Sequence, residues 1–392
     1  MNIKICLLKS NTDFDIEYTY IVPDSIRPEI DVGVFVDVPF GVGNRNALAV
    51  VVDICEDSAR DYINSNGRRI KLKSITSVSG KYAPVSAETV RLCREMQRRY
   101  ICSFGDALKC MLPPEESNAG KARYIRLNVD KARAEELIKG RELRGIKQIK
   151  AVEILSEAEN QTVQEDILKN EYDISSSVIR ALAQKAIIVI EMRKAAQPAA
   201  EPTEYSKTAE KYPPKVLNSE QNEALRKIKR IAKSGEYGGI LLHGITGSGK
   251  TEVYLQAISD AVESGGTAIM LVPEISLTPQ TVARFKGRFG NIVAVFHSRL
   301  SVSQKRREYE RVKSGEAKIA IGARSAVFAP FGKNLKLIIL DEEQENSYKS
   351  FDSAPYYHAG EIAVMRMKIL GGAVVFGSAT PRITTYYRAR NG

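Results

Sequence analysis

Gly239-Ile-Leu-Leu-His-Gly-Ile-Thr-Gly-Ser-Gly-Lys-Thr251 reads as a buried strand that runs into a glycine-rich turn and then into a helix. The turn, Gly244 to Thr251, satisfies the spacing G-x-x-x-x-G-K-[ST] in full. Glycines at 244, 247 and 249 let the backbone curl until several N–H groups of the loop, which also holds Thr246 and Ser248, point at one phosphate. The helix that follows adds its positive N-terminal end. Lys250 is placed to reach the β- and γ-phosphates of ATP, and the Thr251 hydroxyl to coordinate Mg²⁺. The same string can be a merely structural glycine turn. Here a strand precedes it and a helix follows, which is the context phosphate binding requires.

Outward from this loop the chain alternates strand, loop and helix from Lys215 to its last residues. Apolar runs at Thr267–Val272, Asn291–Phe296, Lys318–Ile321, Leu335–Leu340 and Ala373–Phe376 are continuous rather than alternating, as in parallel strands covered on both faces. Glu252 to Val262 has Val253, Ala257 and Ala261 at helical spacing. The pattern predicts an open α/β sheet, mainly parallel, whose ligands bind beyond the carboxyl ends of the strands. One of those ends is Leu337-Ile-Ile-Leu-Asp341-Glu342. Asp341 is expected to hold Mg²⁺ and Glu342 to orient or deprotonate the attacking water. A solvated strand end is the plainer reading of such a pair, but these carboxylates supply what the phosphate loop lacks. Together the two motifs specify ATP hydrolysis.

Further polar clusters fall on the same edge. Gly377-Ser-Ala-Thr-Pro381 offers the hydroxyls of Ser378 and Thr380, suited to linking the nucleotide to DNA movement. His297, Ser298, Arg324 and Ser325 follow other strands and suit backbone phosphates. For His297 a structural role and a DNA-facing one both fit. Basic residues crowd this region, although any one of them is more often a solvated helix face than a contact. After the carboxylates, Tyr348 and Lys349 pair an aromatic ring with a cation, a stacking platform for bases; for the neighbouring Phe351, packing on the sheet fits equally well.

Upstream the texture differs. Residues 1–114 show short β-branched strands punctuated by Pro and Gly, then helical spacing from Val85 to Cys110, and read as a small β-rich module. Residues 115–194 carry helical spacing at Ala134–Ile138, Ala151–Ala158 and Ser175–Ala186, followed by the strand-like Ile187–Met192. A winged helix and a plain helical spacer both fit that pattern. Residues 195–214 are rich in Ala, Pro and Glu and read as a linker before the motor at 215–392. The 58 Lys and Arg against 47 Asp and Glu give a net charge of +11, which favours a polyanionic partner without identifying one. No apolar run approaches the length of a membrane span, and the five cysteines include no CxxC pair, so a reducing cytoplasm is expected.

Taken in order, GITGSGKTEVY, LVPEISLTPQ, FHS, GARSAVFAPF, DEEQENSYK and GSATP resemble the motifs of the PriA family. These are the primosomal replication-restart DNA helicases (primosomal protein N′) of superfamily II. Leu217-Asn-Ser-Glu-Gln221 is similar to that family's adenine-side motif, which makes Gln221 a reader of the base. Tyr18-Thr-Tyr-Ile-Val-Pro23, Val38-Pro-Phe-Gly41, Arg99–Leu108 and Leu112-Pro-Pro114 resemble its domain for the 3′ end of a nascent strand. Nearly the whole sequence is covered. Gln344 stands where the family usually has His, Tyr356 and Gly360 where it usually has Arg, Thr19 where it has Asp, and Ala323 where it has Thr.

The resemblance implies three parts: a 3′-end DNA-binding domain with Tyr18, Thr19 and Gly41 at its site, a winged-helix-like domain, and a RecA-like first helicase lobe. In that lobe Glu343, Gln344, Ser378 and Thr380 would couple nucleotide to DNA. It also implies ATP and Mg²⁺ as cofactors, branched and single-stranded DNA as ligands, other primosome proteins and single-strand-binding protein as partners, and no membrane. The family's zinc module and second motor lobe are expected beyond Gly392, so a partial chain is expected to hydrolyse ATP poorly by itself. The competing reading is a non-catalytic fork-DNA adaptor with a vestigial or nucleotide-responsive half-motor. A remoter one is a double-strand fork-reversal translocase.

Overall fold

Alternating β-branched residues at the N-terminus build an antiparallel sheet in the computed structural model, which describes residues 1–9, 15–55, 61–63, 69–114, 121–140, 143, 145–158, 161–170, 172, 174–194, 210–351 and 354–391. Its strands are β1 (Asn2–Leu7), β2 (Tyr18–Ile21), β3 (Phe35–Phe40) and β4 (Arg45–Cys55). A short ribbon, β5 (Asp61–Ile63) with β6 (Arg69–Lys71), precedes β7 (Ser77–Val78), and the sheet order is β2-β1-β4-β3-β7. Period-two alternation gives it two apolar faces: Ile3, Ile5, Val36 and Val51 on one, Cys6, Phe35, Val50 and Val52 on the other.

The helical spacing from Val85 to Cys110 resolves into two helices rather than one. The first, α1 (Ala87–Tyr100), starts at Ser86, whose hydroxyl accepts from the Thr89 N–H at 3.2 Å. It ends where Ile101 adopts a left-handed φ of 49°. Ser103 then caps α2 (Phe104–Lys109). A Cβ at Gly105 would lie 2.3 Å from the Leu8 carbonyl, so only glycine lets α2 approach β1 this closely.

Two compact units are present, Met1–Pro114 with Glu204–Gly392, and Glu115–Thr203. The second contains β8 (Lys121–Leu127), α3 (Lys131–Lys139), α4 (Ile146–Glu157), β9 (Thr162–Gln164), α5 (Glu165–Asn170), α6 (Ser176–Gln184) and β10 (Ile188–Lys194). Its strands pair antiparallel in the order β10-β8-β9, over a core of Ile125, Leu137, Val152, Leu155, Leu182 and Ile188. Most of the expected linker, residues 195–209, lies outside the described residues.

The apolar runs of the motor region form one six-stranded, wholly parallel sheet. In chain order its elements are α7 (Ser219–Ser234), β11 (Tyr237–His243), α8 (Lys250–Glu263), β12 (Thr267–Leu271), α9 (Pro279–Phe289), β13 (Val293–Phe296), α10 (Val302–Lys313), β14 (Ile319–Gly322), β15 (Leu335–Leu340), α11 (Ala359–Leu370), β16 (Gly372–Ser378) and α12 (Ile383–Asn391). The strand order is β11-β16-β15-β12-β14-β13. β13 starts two residues later than its apolar run predicts, because residues 290–292 form a 3₁₀ turn.

Both faces of this sheet are covered, which explains the continuous apolar runs. Ala268 and Met270 share a core with Leu225, Ile258 and Phe285 of α7, α8 and α9. Ile269 and Leu271 face the other way, into a core shared with Phe328 and Ile362 and with Leu92, Met96 and Phe104 of the N-terminal module. At the same junction Arg366 of α11 and Glu88 of α1, both buried, pair at 2.7 and 3.3 Å. Arg366 also donates to the carbonyls of Val327 and Ala329 at 2.5 and 3.1 Å.

Candidate nucleotide-binding and hydrolysis site

The phosphate loop leaves β11 at the carboxyl edge of the sheet and enters α8, as its sequence predicts. Gly247 and Gly249 take left-handed φ values of 81° and 83°, which side chains rarely tolerate. Lys250 turns back over the loop and donates to the carbonyls of Gly244 and Ile245 at 2.7 and 3.3 Å. Gln221, in the first turn of α7, does more than its sequence context suggests. Its Oε1 accepts from the Asn218 N–H at 2.9 Å, and its Nε2 donates to the Ser248 carbonyl at 2.8 Å. A Cβ at Gly249 would stand 2.5 Å from that same Nε2. The segment expected on the adenine side is therefore hydrogen-bonded to the phosphate loop itself.

The acidic pair ends β15, separated from β11 only by β16. The Asp341 carboxylate accepts from the Tyr254 hydroxyl of α8 at 3.2 Å, and its carbonyl accepts from Tyr348 at 2.6 Å. Burial first, then the Glu342 charge, pushes the Asp341 carboxyl up; Tyr254 and the Lys250 ammonium pull it down. Lys250 and Asp341 thus sit within electrostatic reach of each other. Glu342 holds a left-handed φ of 47°, unusual for a residue with a side chain. Its neighbours fix that turn: Asp341 N–H donates to Leu271 O at 2.9 Å and Glu343 N–H to Gly377 O at 3.0 Å.

Gln344 joins the acidic loop to the hydroxyl strand. It donates to Glu342 Oε2 at 2.9 Å and accepts from Ser378 Oγ at 2.5 Å, while Ser378 Oγ accepts from the Thr380 N–H at 2.9 Å. The Ser378 carbonyl accepts from the Gly244 N–H at 3.1 Å, which closes the path to the phosphate loop. Glu343 points elsewhere, accepting from Arg382 N–H at 2.7 Å and Thr385 Oγ1 at 3.1 Å. The sequence assigns no role to Tyr254 or Arg382, and it offers Pro355-Tyr-Tyr-His358 only as part of the aromatic platform. Tyr254 is an apolar-face helix position by spacing, and the other two lie outside any phosphate or carboxylate pattern.

The residues present fit a Mg²⁺-bound triphosphate. Ser248 Oγ is buried with no hydrogen-bond partner, at the centre of a loop of exposed and half-exposed amides. The Glu342 charge adds to burial in raising the adjacent Asp341 carboxyl, an arrangement to which a dication is suited. Magnesium takes few protein ligands and keeps several waters, so Thr251 and Asp341 are the residues that would hold it.

The expected DNA contacts divide by burial. In the N-terminal sheet the Tyr18 ring meets Phe40, the residue before Gly41, edge-on at 5.0 Å, Thr19 pairs with Lys4 across β1, and the Gly41 carbonyl accepts from Lys73 Nζ at 2.8 Å. Ser298 and Ser325 are exposed; Ser298 Oγ donates to Glu274. Arg324 donates to the Lys349 carbonyl at 2.9 Å. One expectation is corrected, at Tyr348, and of the two readings open for His297 its burial favours the structural one. Tyr348 is 0% exposed and braces Asp341, so it has no face open to a base. His297 is 5% exposed, and its Nδ1 accepts from the Arg299 N–H at 3.0 Å, which leaves it structural. Phe351 is the exposed ring instead, 62% accessible with Lys349 Nζ 5.1 Å from its centroid.

A parallel sheet bearing a phosphate loop, an acidic pair and a hydroxyl strand on one edge defines a helicase-type P-loop ATP-binding lobe. Residues 218–388 match the DEAD/DEAH box helicase model, and residues 7–113 match that of the 3′DNA-binding domain of PriA. The replication restart protein PriA of Bacillus subtilis (strain 168) is 41% identical over 279 residues, 71% of this chain and 34% of that protein. That of Chlamydia pneumoniae is 38% identical over 82% of this chain and 43% of its own length; that of Haemophilus influenzae is 33% identical over 96% and 49%. The chain belongs to the PriA family of replication restart proteins. It spans between a third and a half of the length of these curated relatives. Among solved structures, RecG bound to a three-way DNA junction is similar at 15% identity over 100% of this chain and 50% of its own, with a TM-score of 0.35, a value that bears on no functional point.

Proposed function

We propose that this chain provides the DNA-binding module and the first ATP-binding lobe of an ATP-dependent DNA helicase of replication restart. The observation that carries the reading is the hydrogen-bonded circuit from Gly244 through Ser378 and Gln344 to Glu342, with Lys250 and Asp341 in each other's field. It supports a site in which triphosphate, metal and attacking water are handled on one sheet edge. The loop residues Gly244, Thr246, Gly247, Ser248 and Gly249 bind phosphate with Lys250, and Gln221 lies at the base side. Thr251 and Asp341 hold Mg²⁺, which supplies charge neutralisation at the phosphates when bound. Glu342 receives the proton of the attacking water. Gln344 then senses that side chain directly, and its link to Ser378 and Thr380 carries the change toward DNA-facing loops. Gln344 itself does not titrate: its amide donates to Glu342 with one end and accepts from Ser378 with the other, so the only group in the link that changes charge is the Glu342 carboxylate.

The DNA ligands proposed are branched and single-stranded. A strand end is taken near Tyr18, Thr19 and Gly41, and a second strand runs over Ser298, Ser325, Arg324, Lys349 and Phe351. The family resemblance supports a cytoplasmic setting with other primosome proteins and single-strand-binding protein. No helix among the described residues is long and apolar enough to cross a membrane. Glu342→Gln tests the chemistry: ATP binding should persist within about twofold while turnover falls by roughly 10²- to 10⁴-fold, the usual yield of a general base. Unchanged turnover would remove Glu342 from the mechanism.

A further inference from the structure

We propose that Arg382 and His358 form a clasp that ties the acidic loop to the α1–α11 seam, so that the N-terminal module's grip on Glu361 sets the position of Glu342. Arg382 is thereby a positioning residue. The role given to Glu342 rests on the ATP-hydrolysis reading above, but the clasp itself is argued from contacts.

Arg382 touches the acidic loop three times. Its backbone N–H donates to Glu343 Oε1 at 2.7 Å, and its guanidinium donates to the carbonyls of Gln344 and Glu345 at 3.3 and 3.4 Å. Those residues flank the left-handed turn at Glu342. The other arm of the guanidinium lies 2.9 Å from His358 Nε2. His358 begins α11: its Nδ1 accepts from the Gly360 N–H at 3.1 Å, and its own N–H donates to the Tyr100 hydroxyl at 3.4 Å. Tyr100 and Arg99, at the end of α1, both hold Glu361. Arg99 reaches it at 2.7 and 3.3 Å, and the Tyr100 hydroxyl donates at 2.8 Å. A continuous polar chain therefore runs from the N-terminal module to the residues beside the catalytic carboxylate.

The hinge of this chain is a conflict within one imidazole. Burial, reinforced by the Arg382 charge, holds His358 neutral, with its pKa lowered to about 4. A neutral imidazole has a single acceptor nitrogen. Both the Gly360 N–H and the Arg382 N–H require that acceptor. When Nδ1 accepts, α11 is capped and Nε2–H faces the guanidinium; when Nε2 accepts, Arg382 is held and the cap is lost. Two arrangements thus compete, and the contacts that fix the first turn of α11, Tyr100 and Glu361, bias the choice. A two-state element biased from both ends is what transmission between sites requires.

The test is amide hydrogen exchange on the 392-residue chain, which reads the clasp without any nucleotide. Arg99→Ala with Tyr100→Phe should speed exchange across residues 341–348 by roughly threefold to tenfold while residues 244–252 exchange as before. Tyr100→Phe alone, which keeps the ring, should give the same pattern at smaller amplitude and guards against a folding defect; Arg99→Lys should restore part of the protection. In an Arg382→Ala background the seam substitutions should no longer affect 341–348. Changes confined to 87–100 and 359–370, or an effect that persists without Arg382, would overturn the proposal. Failure of the ATP reading would appear separately, as MgATP binding indifferent to Lys250→Ala, and would leave the exchange result standing.

Discussion

His358 illustrates how one side chain carries a measurable charge cost. Its folded pKa is lowered from 6.5 to about 4 by burial and then by Arg382. Between those values the unfolded chain binds a proton that the folded chain refuses, so stability rises with pH across that window and is lost as pH falls through it. A loss of up to about 3 kcal/mol is the upper scale. Denaturant midpoints for the native protein and His358→Asn, measured from pH 7 to pH 4, should diverge at neutral pH and converge toward pH 4. Parallel curves would contradict the assigned burial. Other residues were legible in the sequence because their chemistry is written in spacing: Gly244, Lys250, Thr251, Asp341 and Glu342 all lie where a phosphate loop and an acidic strand end place them. Tyr348 misled, and His297 stayed open between two readings, because an aromatic or imidazole in a polar loop looks alike whether it faces solvent or the core. Arg382 and Tyr254 left no local signal, since their partners are distant in sequence.

At the level of elements, the joint between α1 and α11 rests on two ion pairs of unequal weight. Arg366 and Glu88 are buried, and Arg366 also holds the carbonyls of Val327 and Ala329. Arg99 is exposed and Glu361 half-buried. Removing one partner of a buried pair strands a charge, so Arg366→Ala should cost about 3–5 kcal/mol, whereas Arg99→Ala should cost far less, because solvent screens the exposed Arg99 guanidinium. Chemical denaturation checks both, and equal losses would mean that the seam is not organised around Arg366. The strands of the motor sheet were readable from continuous apolar runs because both faces are covered. The break between α1 and α2 was not, because Ile101 carries a side chain that gives no hint of its left-handed φ.

For the molecule as a whole, the N-terminal sheet and the motor sheet share one apolar core, although a sequence divided by texture places them in separate domains. That fusion is invisible along the chain, since the residues that meet lie far apart in sequence. It places the expected strand-end site and the ATP site in one compact unit. The basic excess of +11 supplies the long-range attraction to DNA. Fork-DNA affinity should therefore fall linearly on a log–log plot against salt, with a slope of about −0.9 for each phosphate neutralised. Lys349→Ala should flatten that slope by about one contact. A salt-independent affinity would contradict phosphate gripping.

Lys250 and Asp341 are proposed to serve one bound nucleotide, which calorimetric titration of ATP with and without Mg²⁺ can decide. Lys250→Ala should weaken binding by roughly 10- to 100-fold in either condition, the worth of a charge-assisted phosphate contact. Asp341→Asn should abolish the strengthening that Mg²⁺ gives while sparing metal-free binding. Nucleotide binding that ignores both substitutions would mean that the two residues share no nucleotide.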